Sequence, residues 1–289
     1  MSESRHNPDQ LLKAIQADEE NRNKGHLKIF FGYAAGVGKT YAMLEAAHME
    51  KQQGIDVVAG YVEPHAHPKT AALLNGLEVL PTREVFYNGM ILDEFDIGMA
   101  LKRKPQLILV DELAHTNAEG CRHAKRYQDI KELLNAGIDV YTTVNVQHIE
   151  SLCDTVASIT EIVVRERIPD SIFDNADQVE LIDIEPQDLI NRLNTGNVYR
   201  QTQEKQAVEN FFTIENLTAL REISLRRCAD RVNILTENTR IKNHGDYHTG
   251  EHILVCLSSS PSNAKIIRTA AKMASAFKGE FTALFVEPP

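Results

Sequence analysis

A chain of 289 residues with 43% hydrophobic content is long enough for about two domains with real cores. Its net charge, 31 − 41 = −10, offers no basic surface for nucleic acid or for an anionic membrane. The four cysteines are far apart and lack any C-x-x-C or zinc spacing, and no run nears the roughly 18 apolar residues of a membrane span, so the sequence reads as a cytoplasmic polypeptide with reduced thiols.

Asn7 and Pro8 make a capped helix start, and Leu11, Leu12 and Ile15 share one stripe. Residues 1–25 therefore read as a helical arm that packs on the domain or on a partner. A domain over residues 26–242 opens with Leu27, Ile29, Phe30 and Phe31, strand formers that feed FFGYAAGVGKT and then a helix from Tyr41 to Gln53, closed by Gly54. Strand, tight glycine loop and helix in that order describe a phosphate-binding loop; the alternative is a glycine-rich turn with no ligand. The glycines let backbone N–H groups face a phosphate, Lys39 neutralises the β/γ oxygens, and the Thr40 hydroxyl takes a place on Mg²⁺. The cradle comprises Gly32, Ala35, Gly36, Val37, Gly38, Lys39, Thr40 and Tyr41. Its first glycine stands one residue earlier than in G-x-x-x-x-G-K-T, which would put glycine where this chain has Tyr33.

Asp56 to Val62 reads as a second strand. The Glu63-Pro64-His65-Ala66-His67-Pro68 stretch after it is a metal fragment short of ligands, a nucleotide-facing loop or plain surface. Glu84 to Leu92 contains Tyr87-Asn88-Gly89-Met90, a tight-hairpin signal that adds an antiparallel feature to a mainly parallel sheet, and Asp93 to Arg103 reads as a helix. Gln106 to Glu112, QLILVDE, is a fully apolar strand that delivers two acids to the carboxyl edge of a parallel sheet. Asp111 is placed to hold Mg²⁺ through water and Glu112 to polarise an attacking water. Next come His115 and Asn117, placed to sense a γ-phosphate. Arg122, His123, Lys125 and Arg126 do the same, serve a neighbour's site, or are a solvated helix start.

Ile138 to Asn145 is another strand, tipped by Thr142, Thr143, Asn145, Gln147 and His148, where phosphate-loop proteins often contact the γ-phosphate or its water, a fold-level analogy. A helix through Val156 and a last strand at Gln178 to Ile184 follow. From Glu185 to Asn243 the pattern turns helical, with Leu217, Leu220, Ile223 and Leu225 as a packing or dimerising stripe. Lys242 to Glu251 reads as a linker. Residues 251–289 then start afresh with a strand at His252 to Leu257, a helix at Ser262 to Phe277 and a strand at Glu280 to Val286. One β-α-β unit cannot bury both faces of a parallel sheet, so the chain reads as stopping inside a second domain.

The pieces LKIFFGYAAGVGKTYAML, LVDELAHTNAEGCRHAKRYQD, LLNAGIDVYTTVNVQHIESL, RIPDSIFDNADQVELIDI and NFFTIENLTALRE resemble the cytoplasmic N-terminal domain of Kdp-type sensor histidine kinases, which respond to potassium and osmotic stress. The resemblance runs from about Pro8 to Val232 and includes the offset Gly32. It departs at Glu63 to Thr70, where the family usually shows E-T-H-G-R-x-E-T. It implies ATP or ADP binding that tunes the kinase/phosphatase balance of a membrane-anchored sensor, with this part in the cytoplasm and contacts to the rest of the kinase or to another copy. The tail is similar to the start of a universal-stress-protein-like domain, which in some of these kinases binds cyclic di-AMP. That resemblance implies Ser258, Ser260, Phe281, Thr282 and Phe285 as contacts, with Phe285 standing where the family has tyrosine.

The expected fold class is thus α/β: a mostly parallel, P-loop NTPase-like sheet with flanking helices, a helical C-terminal extension and an incomplete universal-stress-protein-like unit. The expected function is that of an ATP/ADP-binding regulatory region. Gly32, Ala35 to Tyr41, Asp111, Asn117 and Asn145 would form the nucleotide site, Thr40 and Asp111 would hold Mg²⁺, and Glu112 and His115 would govern slow hydrolysis. No phospho-accepting histidine box or kinase ATP lid is present, so autophosphorylation is not expected. A free-standing P-loop ATPase or small-molecule kinase is the rival reading.

Overall fold

A six-stranded sheet of order β3-β2-β6-β7-β1-β8 organises the fold, and each of its pairings is parallel. Its strands are β1 (Leu27–Gly32), β2 (Val57–Tyr61), β3 (Glu78–Val79), β6 (Leu107–Val110), β7 (Asp139–Asn145) and β8 (Gln178–Leu181). The computed structural model describes residues 24–63, 68–87, 89–194, 211–243, 252–257, 263–276 and 280–285. Most of the expected arm, His65, His67, Ser258, Ser260 and most of the expected linker lie outside them. The chain divides into two compact units, Met1–Arg226 and Arg227–Pro289.

Strands covered on both faces need apolar side chains at every position rather than at alternate ones. That is why Leu107–Val110 and Val57–Tyr61 are buried throughout, while Glu78 and Val79 at one edge are exposed. Helix α1 (Lys39–Gln52) lays Met43, Leu44, Ala46 and Ala47 on one face, in a cluster with Phe30, Val57, Ala59, Leu107 and Leu109. Elsewhere Phe31 meets Phe173 edge to face, with ring centroids 4.8 Å apart. Around the sheet stand α2 (Pro68–Ala72), α3 (Ile97–Arg103), α4 (Arg126–Asn135), α5 (Cys153–Thr160), α6 (Asp170–Asp174) and α7 (Pro186–Asn194). Because all six strands run the same way, the loops after β1, β2, β6, β7 and β8 open on one edge, and the candidate site residues collect there.

Two expectations are refined. The hairpin of β4 (Arg83–Tyr87) and β5 (Met90–Glu94) is antiparallel, but it forms its own two-stranded sheet and does not extend the parallel one. It absorbs Asp93 and Glu94, so α3 begins only at Ile97, capped by Asp96, whose side chain accepts from Met99 N at 3.0 Å. In α8 (Ile214–Asn243) the buried stripe runs Leu217, Leu220, Ser224, Arg227, Arg231, and Leu225 is exposed. Five residues of helix turn Leu225 about 140° away from Leu220.

In the second unit, β9 (His252–Leu257) and β10 (Glu280–Phe285) pair in parallel under α9 (Asn263–Ala276). Leu254, Leu284 and Phe285 are exposed there.

At the start of β1, Gly25 donates its N–H to Leu134 O at 2.8 Å, and a Cβ built on it would stand 2.0 Å from Ile138 O. That neighbour is backbone and cannot step aside. Gly25→Ala is expected to cost about 1–3 kcal/mol of stability in urea unfolding; a loss under about 0.5 kcal/mol would show that the two segments part freely.

Candidate functional site

The loop from Tyr33 to Gly38 joins β1 to α1. Gly36 and Gly38 adopt φ of 87° and 112°, left-handed conformations that a side chain would oppose. Gly38 is the N-cap of α1, and among the described residues no side chain caps it and the first turn holds no acidic residue, so the helix presents an uncapped N-terminus to the loop. Gly32 has a different reason. A Cβ there would stand 2.6 Å from Val37 Cγ2 and 3.2 Å from Lys39 Cδ, so the returning loop packs directly on the strand end. Tyr33 is fully buried and donates its hydroxyl to Ile184 O at 3.1 Å, tying the loop to the segment after β8.

Lys39 is buried, and its Nζ donates to Ala34 O at 3.0 Å. Burial lowers its pKa to about 8, against the pull of Asp111 and Glu112. Asp111 follows the last residue of β6 and is 1% exposed. Thr40 Oγ1 donates to Asp111 Oδ2 at 3.0 Å, while Thr143 Oγ1 and the Glu112 N–H (3.1 Å) donate to Asp111 Oδ1. The first hydroxyl of α1, the acid after β6 and a threonine of β7 thus meet at one carboxylate.

Glu112 sits at φ 58°, uncommon for a residue with a side chain. Its carboxyl is pushed up to about 7, by desolvation first and then by Asp111 and Glu63, with Arg126 and His115 opposing. Since 47% of this side chain is open to water, desolvation is incomplete, and the direction is what matters: Glu112 takes a proton more readily than an ordinary glutamate.

Behind this pair lies a buried polar wall. Arg126 is fully buried, 4.1 Å over the Tyr61 ring; Nη1 donates to Asp111 O at 3.3 Å and Nη2 to Glu94 Oε2 at 3.2 Å. His115 Nε2 lies 3.2 Å from both Glu94 oxygens. Burial pushes the Glu94 carboxyl up, but hydrogen bonds from His115 and the Ala118 N–H outweigh it and hold the group below the usual range. Asn117 turns its amide to Asp129 Oδ2 (2.6 Å) and His123 O (3.0 Å). His115 and Asn117 are therefore placed in the wall behind Asp111, bonded to carboxylates there. Asn145 pairs in register with Gly32, and its buried Oδ1 makes no hydrogen bond within the described protein.

A cavity of about 530 Å³ opens on the other side of the loop, lined among others by Gly36, Gly38, Tyr41, Ile182, Ile184 and Arg192. Sequence reasoning missed Arg192 and gave Ile182 and Ile184 no role, because only the pairing of β8 with β1 brings them to the loop. A larger cavity, about 760 Å³, lies at the strands' opposite ends among Gly25, His26, Tyr127 and Asp177, away from this chemistry. In the second unit, Phe281, Thr282 and Phe285 are exposed, and Thr282 Oγ1 is 2.9 Å from His252 Nε2. Among the described residues no group of three or more His, Cys, Asp or Glu side chains could hold a metal ion.

A family model described as the osmosensitive K⁺ channel His kinase sensor domain, KdpD, matches residues 23–232. The sensor protein KdpD of Clostridium acetobutylicum is 57% identical over 286 residues, 98% of this chain and 32% of its own length. That of Escherichia coli K12 is 50% identical over 290 residues, 99% of this chain and 32% of its own. The putative sensor protein KdpD of Synechocystis is 47% identical over 265 residues, 92% of this chain and 71% of its own. The chain therefore spans about a third of the first two relatives. No helix among the described residues is long and apolar enough to cross a membrane. From the breadth of the family match and the closeness of these relatives, the chain belongs to the KdpD family of sensor-kinase sensor domains.

Proposed function

We propose that this chain is the ATP/ADP-binding regulatory region of a two-component sensor histidine kinase that responds to potassium limitation or osmotic stress, and that nucleotide occupancy here shifts the kinase/phosphatase balance of the whole protein on the cytoplasmic side. One observation carries the nucleotide reading: the Thr40 hydroxyl and the Asp111 carboxylate meet at 3.0 Å beside a glycine loop whose lysine is buried. Among the described residues the desolvated ammonium is hydrogen-bonded to a neutral carbonyl, a costly arrangement, and phosphate oxygens give it charged acceptors. Mg²⁺ is commonly held by one or two protein groups plus phosphate oxygens, so a hydroxyl and one carboxylate suit it without a larger ligand cluster. Thr40 and Asp111 would hold the ion, which would supply charge neutralisation at the triphosphate.

A second reading, a free-standing ATPase, draws on Glu112, whose raised pKa and place beside Asp111 suit a group that takes a proton from water. Phosphate release separates the two readings: turnover well above about 0.1 s⁻¹ favours the enzyme, and slower turnover favours the regulator.

Lys39→Ala is expected to weaken Mg–ATP binding by at least about thirtyfold, the loss of a buried charged contact, with the far-UV circular dichroism unchanged. Equal affinities in titration calorimetry would remove the loop from the site.

Proton linkage offers an independent check. Above about pH 8 the free protein carries Lys39 mostly neutral, and phosphate oxygens favour its ammonium, so binding draws a proton from the buffer. Glu112, at about 7, is largely ionised at that pH in the free protein. Near about pH 9 the binding heat should vary with buffer ionisation enthalpy in the sense of proton uptake. The variation should vanish in Lys39→Ala; its persistence there would assign the proton to another group.

A further inference from the structure

Strand order decides which way a bound nucleotide must lie. β7 and β6 stand on one flank of β1 and β8 on the other. The Thr40–Asp111–Thr143 cluster, where metal and terminal phosphates would sit, is on the β6/β7 flank. The 530 Å³ cavity takes Ile182, Asp183, Ile184 and Arg192 from the β8 flank, shares Gly36, Gly38 and Tyr41 with the loop and the start of α1, and is closed by Lys69 and Thr70 of α2. A triphosphate laid along the loop from Lys39 toward Gly36 thus sends its other end into this cavity. We propose that the cavity is the nucleoside subsite, that it takes a purine base with its ribose, and that Arg192 is the residue that grips the base. This rests on the nucleotide reading above.

The walls fit that occupant. Ile182, Ile184, Val37 and Ala42 supply apolar surface, Lys69 and Thr70 of α2 supply a polar side, and Arg192 supplies a planar cation that stacks on a π face. Arg192 and Ile182 stand close to the phosphate end of the loop: a Cβ on Gly38 would lie 3.9 Å from Arg192 Nη1 and 4.0 Å from Ile182 Cγ2. Base and phosphate positions therefore adjoin with no gap.

The Ile182–Ile184 wall is held from three directions. Ile182 N donates to Phe31 O at 2.7 Å, Tyr33 holds Ile184 O, and Arg221 of α8 forks onto Asp183 at 2.8 and 2.7 Å and onto Glu185 at 2.7 Å. A wall fixed beforehand spares the ligand the cost of ordering it. Asp183, the acid of this wall, is committed to Arg221 and does not offer the paired acceptor that would single out guanine. Recognition then rests on ring area, which favours purines over pyrimidines.

The test is titration calorimetry on this chain with Mg–ATP, Mg–UTP and Mg–tripolyphosphate, for the parent, Arg192→Gln, Ile182→Ala and Lys39→Ala. Arg192 is exposed and Ile182 half-buried, so both variants should fold. The parent should bind ATP at least about tenfold more tightly than tripolyphosphate, the worth of one stacked base, with UTP between them. Ile182→Ala should remove most of that advantage while changing tripolyphosphate affinity by less than about twofold, and Arg192→Gln, whose guanidinium stands near Gly38, should weaken ATP at least about threefold more than tripolyphosphate. Equal affinity for ATP and tripolyphosphate, or variants that weaken both alike, would overturn the subsite while leaving the loop assignment standing. UTP binding as tightly as ATP would overturn the purine preference. Failure of both phosphates to bind, or unchanged binding in Lys39→Ala, would instead overturn the nucleotide reading and this inference with it.

Discussion

The contact on which the site depends is the hydrogen bond from the Thr40 hydroxyl to the Asp111 carboxylate, between residues 71 apart in sequence. It exists because β1 and β6 run parallel in one sheet, with β7 between them, so that the residues after their carboxyl ends share an edge. Thr143 of β7 contributes the second hydroxyl to the same carboxylate. Three chain segments thus converge on one buried acid, and its oxygens are already occupied by donors of the kind that would orient it toward a metal.

The wall behind that acid is built at some energetic cost. A fully buried guanidinium must be matched by acceptors, and Arg126 has Glu94, the Asp111 carbonyl and the Tyr61 face, though its Nε makes no hydrogen bond within the described protein. What the arrangement achieves is placement: by holding the Asp111 carbonyl and the Glu94 carboxylate together, Arg126 joins the strand end after β6 to the end of the β4–β5 hairpin. His115 and Asn117 belong to this supporting network, His115 through Glu94 and Asn117 through Asp129. The link from Asp111 to the hairpin is continuous in hydrogen bonds.

The same edge is treated differently on the β8 flank. There the contacts are apolar, the polar groups are paired with one another, and the fixed element is the Ile182–Ile184 segment gripped by Tyr33 and Arg221. Tyr33 explains a local irregularity of the loop. The glycine stands at position 32 because Val37 and Lys39 fold back onto it, and position 33 is free to carry a large buried ring that fastens the loop to the neighbouring segment.

Much of this was legible in the sequence because it is local. Glycines before a lysine and a threonine dictate a turn whatever surrounds it, and an unbroken run such as Leu107–Val110 requires burial on both faces. The strand, loop and helix around Lys39 and the acids after β6 followed from that alone. Tertiary structure decided the rest, since it depends on strand order and on helix phase. It set the hairpin apart from the main sheet, turned Leu225 outward, placed His115 and Asn117 behind Asp111, and brought Arg192 from α7 to the far side of the glycine loop. Periodicity reports which residues are covered, but only the packed chain determines what covers them.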